Sequence, residues 1–269
     1  MIFNRLYPMS MKVAFFKYQG SGNDFIMIDN RLQQYQFSTE QIQRLCDRHF
    51  GIGADGLILL ENTTAADFKM IYFNSDGRES TMCGNGGRCI VAFAKHLSLI
   101  TNTTTFEAID GKHYAEVIKD NYIRLQMKNV SSIERYNNDF VLNTGSPHYV
   151  KVVNNASNIN VYEEGRKIRY SEPFKAQGIN VNFLQIVDEN NIVVRTYERG
   201  VENETLSCGT GVTASAIVAS ILFNKSKYSV SVSTKGGILQ VDFELKNNIY
   251  QNVFLSGNAD YVFNGEINI

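Results

Sequence analysis

The sequence predicts an α+β protein of two pseudo-symmetric domains, each a curled, mostly antiparallel sheet wrapped around a central helix. Three observations carry that expectation. A shift of 125 positions lays the chain on itself without a gap: Cys83 falls on Cys208, Gly84 on Gly209, Gly86 on Gly211, Gly53 on Gly178 and Gly20-Ser21 on Gly145-Ser146. Each unit holds many short strand-like runs but one long helix-like run that is apolar on every face, and a helix without a polar face has to be enclosed. Each of those runs follows a Cys-Gly-x-Gly turn, C-G-N-G at 83–86 and C-G-T-G at 208–211.

The units span about 12–130 and 137–258, and we divide the domains at 1–130 and 131–269. In the first unit, Val13–Phe16 and Phe25–Ile28 read as strands around the Gly20–Asp24 loop. Ser38 caps a helix reaching about Arg48, with Gln41 in the capping-box position. Leu57–Leu60 and Lys69–Phe73 are expected as buried strands, and the enclosed helix as Gly87–Leu97 with I-V-A-F-A inside it. Ala115–Ile118 and Tyr122–Met127 complete the unit. Ser131–Asp139 is polar and reads as a linker. The second unit repeats the pattern with strands at Asn182–Val187 and Ile192–Tyr197, the helix at Val212–Phe223, and strands at 229–233, 238–244 and 249–255. The alternating tail 261–269 is expected to cross back and complete the first sheet. The first ten residues read as an upstream extension ahead of the strand at Lys12.

Apolar residues make up 43% and charged residues 20% of 269, with a formal net charge of −1, so nothing marks a nucleic-acid or anionic-membrane surface. The longest apolar run, Ala214–Phe223, is too short to span a bilayer. No signal-peptide pattern is visible, and four cysteines without one suggest a reducing cytoplasm with free thiols.

A cysteine at a helix start meets partial positive charge and unpaired N–H groups, both of which favour the thiolate. The glycines that follow keep backbone N–H groups open to an anion. Two such devices in register, Cys83 and Cys208, suit one reaction class: one thiolate removes an α-proton while the opposing thiol returns a proton to the other face. No cofactor is needed for this, and the sequence holds no P-loop, no metal-spaced His/Cys set and no lysine in a pyridoxal context. Cys46 and Cys89 align with Ser171 and Ala214 and read as packing residues. His49 and His96 read as surface or core-satisfied, and His113 carries no signal.

The chain resembles the diaminopimelate epimerase family along nearly its whole length. The resemblance rests on K-Y-Q-G-S-G-N-D-F at 17–25, R-H-F-G-I-G-A-D-G at 48–56, F-N-S-D-G at 73–77, M-C-G-N-G-G-R-C at 82–89, Y-E-R-G at 197–200 and S-C-G-T-G at 207–211. It implies a pyridoxal-independent homodimeric enzyme that interconverts L,L- and meso-2,6-diaminopimelate, in lysine and peptidoglycan precursor synthesis. By position, it implies Cys83 and Cys208 as the acid/base thiols. Gly84, Asn85, Gly209 and Thr210 would hold the reacting carboxylate. Asn23, Asn74 and Asn180 would meet amines and the distal carboxylate, Glu198 and Arg199 an amino group and a carboxylate. His148 would assist beside the site. The chain departs from the usual family pattern at Ser146, at Gly56 and in the length of the 200–207 loop. A related racemase would lack a second amino-acid end at Asn74, Asn180 and Arg199. A non-catalytic protein would use the two cysteines as a redox-switched disulfide, a property compatible with catalysis.

Overall fold

The computed structural model describes residues 11–269, so the expectation for residues 1–10 lies outside the described residues. In the first half, β1 (Lys12–Gly20) and β2 (Asn23–Asp29) form a hairpin. Ser21 and Gly22, both at positive φ, make its reversal, which suits the twist of an antiparallel pair. α1 (Thr39–Cys46) has the capping box that the sequence predicts between Ser38 and Gln41. It stops two residues short of Arg48, because Asp47 turns to extended backbone and its carboxylate accepts the N–H groups of His49 and Phe50. β3 (Gly56–Glu61), β4 (Phe68–Asn74) and the short β5 (Glu79–Ser80) follow. Next comes α2 (Gly84–His96), then β6 (Thr103–Ala108), β7 (Gly111–Lys119) and β8 (Tyr122–Gln126). The sheet is mainly antiparallel, with β2–β3 and β4–β6 the parallel pairs.

The second half repeats this plan. It comprises β9 (Ile133–Tyr136), β10 (Asp139–Asn143), β11 (Pro147–Val152), α3 (Val161–Arg169), β12 (Asn180–Ile186), β13 (Asn191–Glu198) and β14 (Asn203–Thr205). α4 (Gly209–Leu222), β15 (Lys227–Thr234), β16 (Gly237–Lys246), β17 (Ile249–Asn258) and β18 (Asp260–Asn268) complete it. The parallel pairs recur as β11–β12 and β13–β15. α3 is the counterpart of α1 and stands where the sequence reading placed no helix.

Segment 131–139 is not a linker. Its I-E-R-Y run forms β9 and pairs antiparallel with β10, while polar Glu134 and Arg135 stay exposed. β18 does the same for the first half, running antiparallel along the length of β1 as the tail was expected to. Each half's first strand is thus flanked by a strand that follows the other half. β8 and β17 also pair, joining the halves through one continuous ladder.

Both central helices start three residues earlier than predicted, at Gly84 and Gly209, because Cys83 and Cys208 themselves occupy the N-cap positions. The run from Gly84 to Ala94 is buried throughout, including Ile90, Val91 and Phe93 at 0% exposure. Each such apolar side chain stabilises the fold by about 1.5–3 kcal/mol before entropy is counted. One apolar cluster encloses α2 and α4 together, and two satellite clusters lie under α1 and α3.

Candidate active site

The two helix starts touch. A Cβ on Gly84 would stand 3.5 Å from Gly209 Cα, and one on Gly209 only 3.3 Å from Gly84 Cα; both would meet Leu255 Cδ2 at 2.9 Å. Only glycine lets the helices approach this closely, and the approach brings both N-terminal turns to one place. There they face a cleft of about 820 Å³ lined from both halves, with Cys83, Cys208, Gly84 and Gly209 in its wall.

Cys83, partly exposed, accepts the Gly86 N–H on Sγ at 3.2 Å. Cys208 is 8% exposed and lies 3.5 Å from the Thr210 hydroxyl. Burial pushes the Cys83 thiol up to about 11, against the pull of the Gly86 N–H, and the Cys208 thiol up to about 12, against that of the Thr210 hydroxyl. The lowering expected from the helix ends is therefore outweighed by desolvation, which disfavours the charged form of an enclosed acid. Glu198 faces both thiols, and burial raises its own carboxyl.

Asn85 crosses from one half to the other. Its amide donates to the Ser207 carbonyl at 3.2 Å and to Asn23 Oδ1 at 3.4 Å, and its Oδ1 accepts from Arg88 at 3.0 Å. Asn23 in turn donates to Asp55 at 2.6 Å, and Asp55 pairs with Arg48 at 2.8 Å. Asn180 donates to the Ser146 hydroxyl and the Pro147 carbonyl while accepting the Arg199 N–H at 2.9 Å. Ser146, one of the departures from the family pattern, therefore keeps a polar contact with the site. The Arg199 guanidinium donates to the Gln177 carbonyl. Asn74 and Thr210 complete the wall.

Of the candidate residues read from the sequence, His148 alone does not line the cleft. It is fully buried behind the first turn of α4, where a Cβ on Gly211 would meet its ring at 3.4 Å. Asn182 donates to its Nδ1, so Nε2 carries the proton and is left without a partner. Burial, with Arg199 adding to it, pushes His148 down to about 3, so the ring is neutral.

Cys46 and Cys89 are buried packing residues, and all four cysteines are free thiols. His49 and His96 are exposed. The sequence reading missed several wall residues. Tyr72 packs its ring where a Gly56 side chain would go, 2.6 Å from that ideal Cβ, which leaves no room there for a longer residue. Asp55 and Arg48 flank Asn23, and His113 bonds Asp110 in the same wall. Asp55 and Arg48 stood within a quoted motif, whereas Tyr72 and His113 gave no local signal.

A duplicated fold that carries one cysteine from each half to a shared cleft defines an isomerase of the racemase and epimerase class. The profile of the family described as Diaminopimelate epimerase matches residues 15–133 and again 140–262, one match for each half. The chain is 55% identical over 249 residues to the diaminopimelate epimerase of Flavobacterium psychrophilum, covering 92% of this chain and 97% of that one. It is 42% identical to that of Aquifex aeolicus, over 95% of this chain and 98% of the other. Among solved structures, a phenazine biosynthesis protein of the PhzF family from Bacillus anthracis shares the fold with a TM-score of 0.75 at 14% identity, over 96% of this chain and all of that one. A hydroxyproline epimerase from Agrobacterium vitis does so with a TM-score of 0.67 at 12% identity, over all of this chain and 94% of the other. The chain belongs to the diaminopimelate epimerase family.

Proposed function

We propose that the protein interconverts L,L- and meso-2,6-diaminopimelate by two-thiol inversion at one α-carbon. The observation that carries this is the convergence of the two cysteine-capped helix starts on one cleft. The substrate's reacting carboxylate lies on the open N–H groups of the two first turns, at Gly84-Asn85 and Gly209-Thr210. One sulfur, as thiolate, takes the α-proton as the Cα–H bond breaks, and the electron pair spreads into the carboxylate held by the helix ends. The opposing thiol gives its proton to the other face and becomes the thiolate. Charge and atoms balance, and the pair ends in the reverse protonation state, which also serves the reverse reaction. No cofactor takes part.

Glu198 meets the reacting ammonium. Asn74, Asn180 and Arg199, all in the cleft wall, take the distal amino-acid end, the feature that distinguishes diaminopimelate from a one-ended substrate. Asn23 acts beside them, and His148 assists from behind α4 without touching the cleft. We further propose domains at 1–130 and 131–269, a homodimer, and a cytoplasmic protein. Among the described residues no helix is long and apolar enough to cross a membrane.

The test is incubation of reduced protein with L,L-diaminopimelate in deuterated water. Exchange of the α-proton and appearance of the meso isomer are expected, and the absence of both in folded, reduced protein would refute the assignment. Full inversion by Cys83→Ala or by Cys208→Ala would sink the two-thiol mechanism.

A further inference from the structure

The two halves differ at a buried charge beside the cleft. Arg88, five residues past Cys83, is 0% exposed, and its guanidinium donates to the Gly84 carbonyl at 3.2 Å, the Ser21 hydroxyl at 3.1 Å and Asn85 Oδ1 at 3.0 Å. Among the described residues its Nε has no partner. The acids it faces are Cys89, Cys83 and Tyr122, none of them a carboxylate. A fully enclosed guanidinium without a counter-ion is costly, and burial weakens its hold on its proton. The 125-residue shift lays Arg88 on Thr213, which makes the matching bond to the first helical glycine, Thr213 Oγ1 to the Gly209 carbonyl at 2.9 Å, but carries no charge. A neutral side chain therefore satisfies the structural need at this position. The cation adds something else.

What it adds falls on one thiol. Cys83 Sγ accepts a capping N–H from Gly86, and Cys208 makes no side-chain capping bond. The groups facing Cys83 are Arg88 and Cys89 on its own helix, Glu198 from β13, Tyr72 from β4 and Cys208 from α4. Glu198 opposes ionisation of both thiols and so does not tell them apart. Arg88 also holds the amide of Asn85, the residue that ties the first turn of α2 to the carbonyl preceding Cys208.

We propose that Arg88 is a positioning residue that makes Cys83 the first of the two thiols to lose its proton, so that in the protein free of substrate the thiolate forms on the α2 side. This rests on the two-thiol reading above. It assigns the proton order within the pair, with Arg88 acting alongside the Gly86 N–H that caps Cys83 alone.

The test is an NMR titration of protein labelled with 13C at cysteine Cβ, in which each thiol reports its own ionisation whatever its access to reagents. Cys83 should ionise about one pH unit below Cys208, a roughly tenfold larger thiolate fraction at any pH below both midpoints. Arg88→Met should raise the Cys83 midpoint toward that of Cys208 by an amount the titration resolves, and leave Cys208 in place. Arg88→Lys, which keeps the charge, should restore most of the difference, an outcome that loss of packing alone does not produce. Wild-type protein in which Cys208 ionises first overturns the proposal without any variant. So does a folded Arg88→Met protein with both midpoints unmoved or both moved equally. Failure of the two-thiol reading shows separately, as full inversion by Cys83→Ala, while the titration order stands.

Discussion

Gly84→Ala places one methyl group between the two helix starts. The new Cβ would lie 2.9 Å from Leu255 Cδ2 and 3.5 Å from Gly209 Cα. Carbon pairs rest at about 3.5–4.0 Å, so the shortfall is roughly 0.6–1.1 Å at the leucine and small at the glycine. The leucine methyl is the end of a flexible side chain, but it also packs against Gly209 and is fully buried, so it has little room to retreat. Overpacking of this kind costs about 1–3 kcal/mol, and α2 relieves part of it by moving off α4. That movement separates the two thiols, and a displacement near 1 Å at a reacting centre lowers turnover by about a hundredfold. Urea denaturation and the deuterium-exchange assay measure the two effects independently. Combining Gly84→Ala with Leu255→Ala in a double-mutant cycle should give a favourable coupling of at least ~1 kcal/mol, because the cavity accepts the methyl. Activity should recover in part, since relief of the leucine contact lets α2 return and the 3.5 Å left to Gly209 Cα is ordinary contact. If Gly84→Ala leaves stability within about 0.5 kcal/mol and turnover within threefold, the abutting glycines do not set the spacing of the thiols.

Three further outcomes are expected. His148 sits near 3 in the fold against an ordinary 6.5, so it contributes stability above pH 6.5 that is lost as pH falls from there toward 3. The slope is at most about 1.4 kcal/mol per pH unit, and subtracting the curve of folded His148→Gln isolates it from Glu198, whose carboxyl is raised by burial and acts with the opposite sign. Asn182→Ala strands His148 Nδ1, the Tyr149 carbonyl and the Thr196 hydroxyl in the core and should cost about 2–4 kcal/mol in urea denaturation; a loss below 1 would show that these groups find other partners. Gly211→Ala drives a Cβ to within 2.2 Å of Asn182 Oδ1 and should lower the melting temperature more than Gly84→Ala; an equal or smaller drop would show that the Asn182 network yields easily.

The features that could be read in the sequence are those whose signal is local or repeated. The C-G-x-G turns, the apolar helices behind them and the Ser38 capping box each state their structure within a few residues. The tail strand could be read because it alternates. α3 was hidden by its composition: V-Y-E-E-G-R-K-I-R is mostly polar, and Gly165 is there because a Cβ would lie 2.3 Å from Tyr197. β9 is polar for the same reason that it resembles a linker, since it is an edge strand. Tyr72 was hidden by register. The repeat lays it on Tyr197, but the two rings stand on opposite faces: Tyr72 packs in the cluster around α2, and Tyr197 in the satellite cluster under α3, bonded to Glu202. In these strands the matching pairs are Ile58–Tyr72 and Asn182–Thr196, one residue off the gapless shift, and a one-residue slip turns every side chain to the other face. The binding residues other than the cysteines emerged from family likeness, because their meeting depends on contacts as distant as Asn85 with Ser207. The ionisation of the thiols was misjudged because burial, which opposes the helix ends, is a property of the assembled cleft.

The crossed end strands bear on how alike the two halves need be. β9 leaves the first half to flank β10, and β18 leaves the second to flank β1. The arrangement is that of a strand-swapped pair of like units, with the site where Gly84 of one meets Gly209 of the other. Because both units lie in one polypeptide, matching positions need not be alike, and position 88 carries arginine where 213 carries threonine.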